Sequence, residues 1–395
     1  MSRVLVLGAG LMGPAVARDL IKHDLADAVI IADLDPERVA RAVGTVTGAT
    51  GHARRSRCEG MVLDLRDRAA LTRAMRQVDV VAGAYPVAAV REVTEAAVEA
   101  GTHLCDLTGS AEGFNIFSYH DDALRAGVTL LPGCGVAPGL SNALVGQGAA
   151  RLDRVEEGIV YVGGLPARPL PPLDYRVVFA LETVIDEYVA PALVIADGAA
   201  TQVPALDGLE ELTFPEPVGR CEAFYTYGLG TLAWTGPGLG FRDLGEKTVR
   251  YPGHRDKVLF LRECGFFSRE QVEVGGVVIE PRRLTGAVLG PLLQRGGPED
   301  VTVLRVVVRG ETGGRKDGWV FEMVDTYDPE DGETSMARTT GYTCSIIAGM
   351  LMSGRISARG VAPLETIFGA PDLYSELLRE IGRRGMTVTE HRLCG

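Results

Sequence analysis

The sequence has little of what marks membrane, secreted or nucleic-acid-binding proteins. No apolar run in its 395 residues reaches the roughly 18 residues that a bilayer-spanning helix needs. Its seven cysteines are scattered singly, and the lack of a CxxC pair favours neither a disulfide framework nor a zinc site. The net charge of −12 argues against nucleic acid or an anionic membrane as the main partner. Because the first residues enter an apolar strand directly, we expect no signal peptide. Together with the single cysteines, this predicts a reduced, cytoplasmic protein without a metal.

The first 135 residues alternate short apolar runs with helical patterns. RVLVLG, AVIIAD, GMVLDL, DVVAGAY, THLCDL and VTLLPG are typical of buried strands, and amphipathic segments lie between them. Such alternation predicts an α/β fold of the Rossmann type, with a doubly wound parallel sheet covered by helices on both faces. We therefore predict a dinucleotide-binding domain over residues 1–135.

The pattern changes after residue 135. Longer and more polar strands, including YRVVFALE at 175–182, predict a second α+β domain on a mixed sheet over 136–337, used for substrate binding and oligomerisation. Helical periodicity then returns in SMARTTGYTCSIIAGMLMSG and PDLYSELLREIGRRG. We predict that residues 338–395 form C-terminal helices that pack back on the first domain.

A glycine motif follows the first strand and opens the first helix. Gly8, Gly10 and Gly13 stand in GxGxxG spacing around Leu11 and Met12. The glycines permit a tight turn, close approach of a pyrophosphate and close helix packing, and the helix N-terminus then faces the phosphates. Asp33 ends the second strand, where a carboxylate accepts hydrogen bonds from a ribose diol and repels a 2′-phosphate. The motif predicts NAD as the cofactor, whereas a purely structural turn with Asp33 as a helix cap is the alternative.

Two further strand ends could contact the cofactor. Asp64 and Leu65 end the third strand and could approach the adenine, although Asp64 could equally cap the next helix. Ala84, Tyr85 and Pro86 end the fourth strand, beside the nicotinamide half of a dinucleotide in a doubly wound sheet.

Five stretches, taken together, carry a resemblance to a known family. They are GCGVAPGLSN at 133–142, YVGGLPARPLPPLDY at 161–175, EAFYTYGLGTL at 222–232, KTVRYPGHRDKVLFLRECGFF at 247–267 and MARTTGYTCSIIA at 336–348. In this order they resemble the saccharopine dehydrogenase-like family, and within it most closely the L-lysine 6-dehydrogenases.

The resemblance implies an oxidoreductase that oxidises the ε-amine of L-lysine with NAD. The products would be ammonia and 2-aminoadipate 6-semialdehyde, which cyclises to a piperideine carboxylate. It also implies a homo-oligomer, a homodimer or a homotetramer. Two alternatives stay open: a saccharopine-type reductase that joins an amino acid to a keto acid, and a non-catalytic NAD-binding scaffold.

Oxidation of an amine needs a base, because only the neutral amine has a lone pair that can expel hydride. Asp106 ends the fifth strand at the ligand-binding edge of the sheet, and His254 begins a helix after a Pro-Gly turn. Tyr175 could donate a hydrogen bond to the substrate or pack in the sheet. These three are the catalytic candidates.

Substrate anchors must bind an α-carboxylate and an α-ammonium group. Arg250 is suited to the carboxylate, and Arg338 with Thr339 could hold substrate or a cofactor phosphate. Glu182 and Glu187 are weaker candidates for the ammonium. Each of these residues could instead belong to an ordinary salt-bridged surface, and Lys247 and Lys257 are predicted to be solvated.

Overall fold

The computed structural model describes residues 2–50, 57–108, 114–177 and 181–394 of the chain. The chain divides into two compact units. The first comprises Met1–Leu152, Gly230–Thr235 and Ala337–Thr387, and the second comprises Asp153–Leu229, Gly236–Met336 and Val388–Gly395.

Eighteen strands lie in the described part of the chain. They are β1 Arg3–Leu7, β2 Ala28–Asp33, β3 Cys58–Val62, β4 Val80–Gly83, β5 His103–Asp106, β6 Thr129–Leu131, β7 Arg154–Pro166, β8 Ala192–Ala196, β9 Ala199–Val203, β10 Glu210–Phe214, β11 Gly219–Tyr225, β12 Asp243–Arg250, β13 Val272–Val274, β14 Val277–Ile279, β15 Asp300–Thr312, β16 Arg315–Thr326, β17 Gly360–Val361 and β18 Thr389–Cys394.

The helices of the same residues are α1 Gly13–Lys22, α2 Pro36–Thr50, α3 Arg68–Met75, α4 Val90–Ala100, α5 His120–Ala126, α6 Leu140–Ala150, α7 Leu181–Val189, α8 Leu232–Thr235, α9 His254–Glu263, α10 Pro281–Leu293, α11 Ser335–Ala337, α12 Thr343–Met352, α13 Leu364–Ile367 and α14 Pro371–Gly382. A π-helix at Arg338–Tyr342 joins α11 to α12. None of the described helices combines the length and the apolar character needed to cross a bilayer.

The first unit is built on a seven-stranded parallel sheet in the order β17-β6-β5-β4-β1-β2-β3. Its strands are apolar almost throughout, because helices cover both faces of the sheet. The predicted Rossmann fold and its first six strands are confirmed. The seventh strand, Gly360–Val361, is too short to give a sequence signal.

The C-terminal helices pack back on the first unit, as the sequence predicts. Helix α12 lies against α1 and β4. Asp19 of α1 is buried and accepts hydrogen bonds from Ser345 of α12 and from Arg384 Nε, at 2.8 Å, just after α14. This buried ion pair joins the first helix to the last one.

The second unit is built on a mixed sheet whose main path is β10-β11-β12-β7-β15-β16-β18, with β8 and β9 attached beside β12. Strands β12 and β7 run parallel, and the other pairs are antiparallel. Helices α7, α9 and α10 cover one face around a core that includes Phe224 and Val258.

Three segments of the second part differ from the predictions. Residues 175–177 are not a strand, and Leu181 already begins helix α7, so the predicted strand at 175–182 is wrong in the part described. The end of the chain, Thr389–Cys394, is a strand that pairs with β16 rather than a helix. Strand β12 has no sequence signal because its residues are mostly charged or polar.

Helix α6 belongs to the first unit, which continues to Leu152 beyond the predicted boundary at 135. Its Gly146 lies directly against the backbone of α13, where a Cβ atom would come within 2.0 Å of the Glu365 carbonyl oxygen. The domain boundaries drawn at 135 and 337 remain sequence predictions.

Candidate functional site

The loop between β1 and α1 needs two of its three glycines for its own geometry. Gly8 has φ of +108°, and a Cβ atom there would lie 2.2 Å from the Ala84 carbonyl oxygen. A Cβ atom on Gly13 would lie 1.8 Å from the Gly8 carbonyl oxygen. These contacts let the loop turn sharply and let α1 start close to the sheet.

Gly10 differs from these two because it is exposed and has open space around its Cβ position. The protein's own packing therefore does not require glycine there, whereas a closely approaching ligand would. Met12 precedes α1 without a side-chain cap, so the first-turn amides point outward as they do in phosphate-binding helices. Leu11 is 62% exposed beside them. The loop thus fits the pyrophosphate of a dinucleotide.

Asp33 holds this loop in place. Its Oδ2 accepts a hydrogen bond from the Ala9 amide at 2.9 Å, and its Oδ1 accepts one from Asp35 at 3.0 Å. A carboxylate has about four lone-pair positions, so it can accept further bonds from a ribose diol. Arg38 lies 3.5 Å from Asp35 rather than against Asp33. The carboxylate therefore fits an unphosphorylated ribose.

Asp64 and Leu65 are less suited to contact a cofactor. Asp64 binds the Arg66 guanidinium at 2.8 Å, and this partner lowers the pKa of its carboxyl to about 2. Leu65 is partly buried against the core of the parallel sheet. Val62, at the end of β3, is 59% exposed and offers an apolar surface that sequence reasoning missed.

Tyr85 and Asp106 form a buried pair at the carboxyl edge of the parallel sheet. The Tyr85 hydroxyl donates to Asp106 Oδ2 at 2.8 Å, and Thr108 donates its amide to Oδ1 at 2.7 Å. Burial raises the pKa of Asp106 to about 6, against the opposing effect of these donors. Just after β4, the Ala84 amide donates a hydrogen bond to the Leu7 carbonyl oxygen at 2.7 Å, and Pro86 is exposed. The two hydrogen bonds from Tyr85 and Thr108 therefore fix the position of the Asp106 carboxylate, and its raised pKa would let it exchange a proton near neutral pH.

Arg338 and Thr339 begin the π-helix, which packs on the first turns of α1. A Cβ atom on Gly341 would lie 2.9 Å from that of Ala15. Arg338 donates to the Arg384 carbonyl oxygen at 2.9 Å, and Thr339 is fully buried. Their position beside the phosphate-binding helix agrees with a role near the cofactor, and π-helical turns are frequent at functional sites.

In the second unit, four buried or nearly buried side chains surround the buried Arg250. We name this group the Arg250 cluster, and its members are Tyr175, Glu187, Tyr188, Arg250 and His254. The guanidinium lies over the Tyr175 ring at 4.5 Å, and it donates to Glu187 and to the Tyr188 hydroxyl, each at 3.4 Å. Helix α7 supplies Glu187 and Tyr188, strand β12 supplies Arg250, and helix α9 begins with His254.

His254 has both ring nitrogens engaged inside the protein. Its Nδ1 lies 2.8 Å from the Leu173 carbonyl oxygen, which can only accept, so Nδ1 carries the proton and Nε2 accepts from the Tyr188 hydroxyl at 2.9 Å. Burial, followed by the charge of Arg250, lowers the pKa of His254 to about 3. These contacts favour a positioning role over the proton transfer that the sequence suggested.

Tyr175 and Glu187 have the character of ligand-binding groups. The Tyr175 hydroxyl is buried and has no hydrogen-bond partner in the described ranges, which is costly unless a ligand supplies one. Burial raises the pKa of Glu187 to about 7, and Arg250 opposes this rise. Glu182 is mainly exposed and binds Arg282 at 3.0 Å, so it does not join the cluster.

Glu246 also lies near the cluster, and sequence reasoning missed it. It is 6% exposed in β12, and burial, followed by the charge of Glu187, raises its pKa to about 8. The prediction that Lys247 is solvated is wrong, because this residue is 8% exposed, binds the Gly208 carbonyl oxygen at 2.7 Å and lies over Tyr225. Lys257 is 41% exposed and pairs with Asp174.

The parallel sheet, its glycine loop and the carboxylate after β2 define a Rossmann-type dinucleotide-binding protein with a second domain on a mixed sheet. Two family models match the chain. The saccharopine dehydrogenase NADP binding domain matches residues 4–131, and the saccharopine dehydrogenase C-terminal domain matches residues 135–386. The chain belongs to the saccharopine dehydrogenase family.

The chain is also similar to two individual proteins. The apo structure of histidine-tagged saccharopine dehydrogenase (L-Glu forming) from Saccharomyces cerevisiae has the same fold, with a TM-score of 0.79, 17% identity and 100% of both chains covered. The alpha-aminoadipic semialdehyde synthase of Arabidopsis thaliana is 27% identical over 260 residues, which are 60% of this chain. The match spans only 23% of that longer protein.

Proposed function

We propose that the protein oxidises the ε-amine of L-lysine with NAD and releases ammonia and 2-aminoadipate 6-semialdehyde. Membership in the saccharopine dehydrogenase family supports an oxidoreductase that acts on an amino acid with a nicotinamide dinucleotide. The five sequence stretches that resemble the L-lysine 6-dehydrogenases support the finer assignment.

The observation that carries the proposal is the balance of charge around Arg250. One buried guanidinium is accompanied by two acidic side chains, Glu187, which is nearly buried, and Glu246, which is buried, and the neutral His254 adds no positive charge. Burial raises the pKa of both acids, so each would become negatively charged when an ammonium group binds beside it. L-lysine has one carboxylate and two ammonium groups, so its charges complement this set. Saccharopine has three carboxylates and would need more cationic partners. The charge balance therefore favours a cationic amino acid as the substrate.

The chain's own residues have separable tasks in this reaction. Arg250 binds the α-carboxylate, since a guanidinium has five N–H donors and its hydrogen bonds to Tyr188, Glu187 and the Val249 carbonyl oxygen use three of them. The Tyr175 hydroxyl donates to the substrate, and the buried carboxylates attract its ammonium groups. A bound nicotinamide supplies the hydride acceptor, and Asp106 has a pKa suited to proton exchange with the departing ammonia.

NAD is the proposed form of the cofactor. Asp33 would accept hydrogen bonds from the ribose diol, and its negative charge would repel a 2′-phosphate. The name of the matching family domain contains NADP, so the choice between the two cofactors needs a direct measurement.

A panel of amino acids tests the proposal. Purified protein with NAD should form NADH from L-lysine in the absence of any keto acid, and L-ornithine and L-glutamate should be much poorer substrates. The competing reaction is a saccharopine-type reductase, which the names of the matching family domains favour. It would give NAD(P)H consumption only with an amino acid and a keto acid together, and that result would refute the proposal.

A further inference from the structure

Glu246 is a buried acid that the fold does not use. It lies in the middle of β12, on the same face as Thr248 and Arg250, because side chains alternate along a strand. Its two neighbours on that face have partners: the Thr248 hydroxyl forms a hydrogen bond with the Thr226 hydroxyl at 2.7 Å, and Arg250 contacts Tyr188 and Glu187. No hydrogen bond to the Glu246 carboxylate occurs within the described ranges of the chain. A buried carboxylate without a partner costs several kcal/mol unless it is protonated or binds a cation.

The surroundings of Glu246 leave room for its carboxylate. Gly228 lies directly against it, and a Cβ atom at this glycine would come within 1.9 Å of Glu246 Oε1. On β7, the residue in register with Glu246 is the apolar Val160. Glycine at 228 therefore keeps open the space that the carboxylate occupies.

Several titratable groups face this region. Glu187 and Tyr188 come from α7, Tyr175 from the segment before it, Arg250 from β12 and His254 from α9. Tyr227 is near enough to feel these carboxylates, because burial, followed by the charges of Glu187, Asp186 and Glu246, raises its pKa. Arg250 contacts Glu187 directly, whereas no cationic side chain of the described residues pairs with Glu246. A cation bound at this site would therefore interact chiefly with Glu246.

We propose that Glu246 is the substrate-ammonium receptor of this protein and accepts the proton of the ε-ammonium group. This inference rests on the proposed oxidation of L-lysine. In the step, an N–H bond of the ε-ammonium breaks, its electron pair stays on nitrogen, and the proton forms an O–H bond with the Glu246 carboxylate. The products are a neutral amine, which has the lone pair that hydride loss needs, and a neutral carboxylic acid.

The spacing along β12 agrees with this assignment. Residues four apart on one strand are about 13 Å apart at their Cα atoms, and Glu246 and Arg250 stand on the same face of β12. An extended lysine could then place its carboxylate at Arg250 and its ε-nitrogen at Glu246. Asp or Glu as substrate would bring a second carboxylate to Glu246 and would be repelled.

The assignment predicts that lysine binding releases a proton. Below pH about 8, free Glu246 holds a proton, and the incoming ammonium brings its own. The bound pair, either ammonium with carboxylate or amine with acid, holds one proton fewer than the two separate groups. Binding should therefore release about one proton near pH 7, and far less above pH about 9.

Titration calorimetry of L-lysine into the protein, with NADH present to prevent turnover, measures this proton in buffers of different ionisation enthalpy. The native protein should release about one proton near neutral pH. Glu246→Gln should lose the proton release and bind lysine at least tenfold more weakly. Gly228→Ala, which displaces the carboxylate without removing it, should weaken binding in the same direction. Glu182→Gln, at an exposed glutamate, is the matched control and should behave as the native protein does.

The outcomes separate two failures. If the native protein oxidises lysine while Glu246→Gln keeps the native affinity and proton release, the role of Glu246 is refuted and the proposed function stands. If the native protein neither binds nor oxidises lysine, the proposed function fails. NADH affinity and melting temperature establish that each variant is folded, and Gly228→Ala tests the inference if Glu246→Gln does not fold.

Discussion

The guanidinium of Arg250 lies over the ring of Tyr175, with its central carbon 4.5 Å from the ring centroid, and both side chains are buried. A planar guanidinium can stack in this way and still present N–H donors at its edge, whereas an ammonium group cannot. The stacking therefore fixes the donor set that would receive a carboxylate.

Arg250→Lys tests this arrangement. The variant keeps the charge but loses both the stacking on Tyr175 and the bidentate hydrogen bond to the substrate carboxylate. The KM for lysine should therefore rise roughly thirtyfold, which is equivalent to about 2 kcal/mol of binding free energy. Steady-state kinetics measures the change. NAD affinity should stay the same, because Asp33 and the glycine loop belong to the other unit.

Lys257→Ala is the control for charge removal nearby. Lys257 is 41% exposed and pairs with Asp174, and such surface pairs contribute about 0–1 kcal/mol. Its lysine kinetics should be native. If Arg250→Lys had the same lysine kinetics as the native protein, Arg250 would not bind the substrate carboxylate, and its role would be structural only.

His254→Gln should change acid stability rather than the pH profile of turnover. In the folded protein the pKa of His254 is about 3, against 6.5 without the fold, so the neutral ring stabilises the native state fully above pH about 6.5. This contribution is lost as the pH falls from about 6.5 toward about 3. The variant should be less stable at neutral pH and should lose less stability on acidification.

Denaturant unfolding across this pH range measures the difference. If His254 transferred a proton in the reaction, turnover would instead fall by roughly a hundredfold and the pH profile would change its shape.

Parts of this architecture follow directly from the sequence. The strands of the parallel sheet are predictable because burial on both faces makes them apolar throughout, and Gly8 and Gly13 are predictable because the turn tolerates no side chain. The π-helix and the short β17 lack any comparable pattern.

The second unit is harder to predict for a physical reason. Strand β12 contains Glu246, Lys247 and Arg250, which are typical of a solvated loop, yet all three are buried. Arg250 and Lys247 rely on partners distant in sequence, Glu187 and Gly208 respectively. A site made of such contacts becomes visible only in the folded chain.

Asp33→Ser tests the cofactor preference. The native protein should prefer NAD to NADP by at least about tenfold in kcat/KM, equal to about 1.4 kcal/mol, because the carboxylate repels the 2′-phosphate. Removing the charge should shrink this ratio. Comparable use of the two cofactors by the native protein would contradict the assignment to NAD.

Chelation should leave the reaction unchanged. Within the described ranges, no group of three or more His, Cys, Asp or Glu side chains is arranged to hold a metal ion. We expect turnover after extensive EDTA treatment to equal that of the untreated protein. A loss that added zinc or magnesium restores would overturn this expectation.

The most direct test of the central claim follows the atoms of the substrate. L-lysine with a heavy nitrogen isotope only at the ε-position and deuterium only on the ε-carbon is incubated with NAD and the protein, without a keto acid. We predict that mass spectrometry finds the heavy nitrogen in free ammonia and the deuterium in NADH, in equal amounts. Retention of the heavy nitrogen in an organic product, or formation of no NADH without a keto acid, would contradict oxidation of the ε-amine.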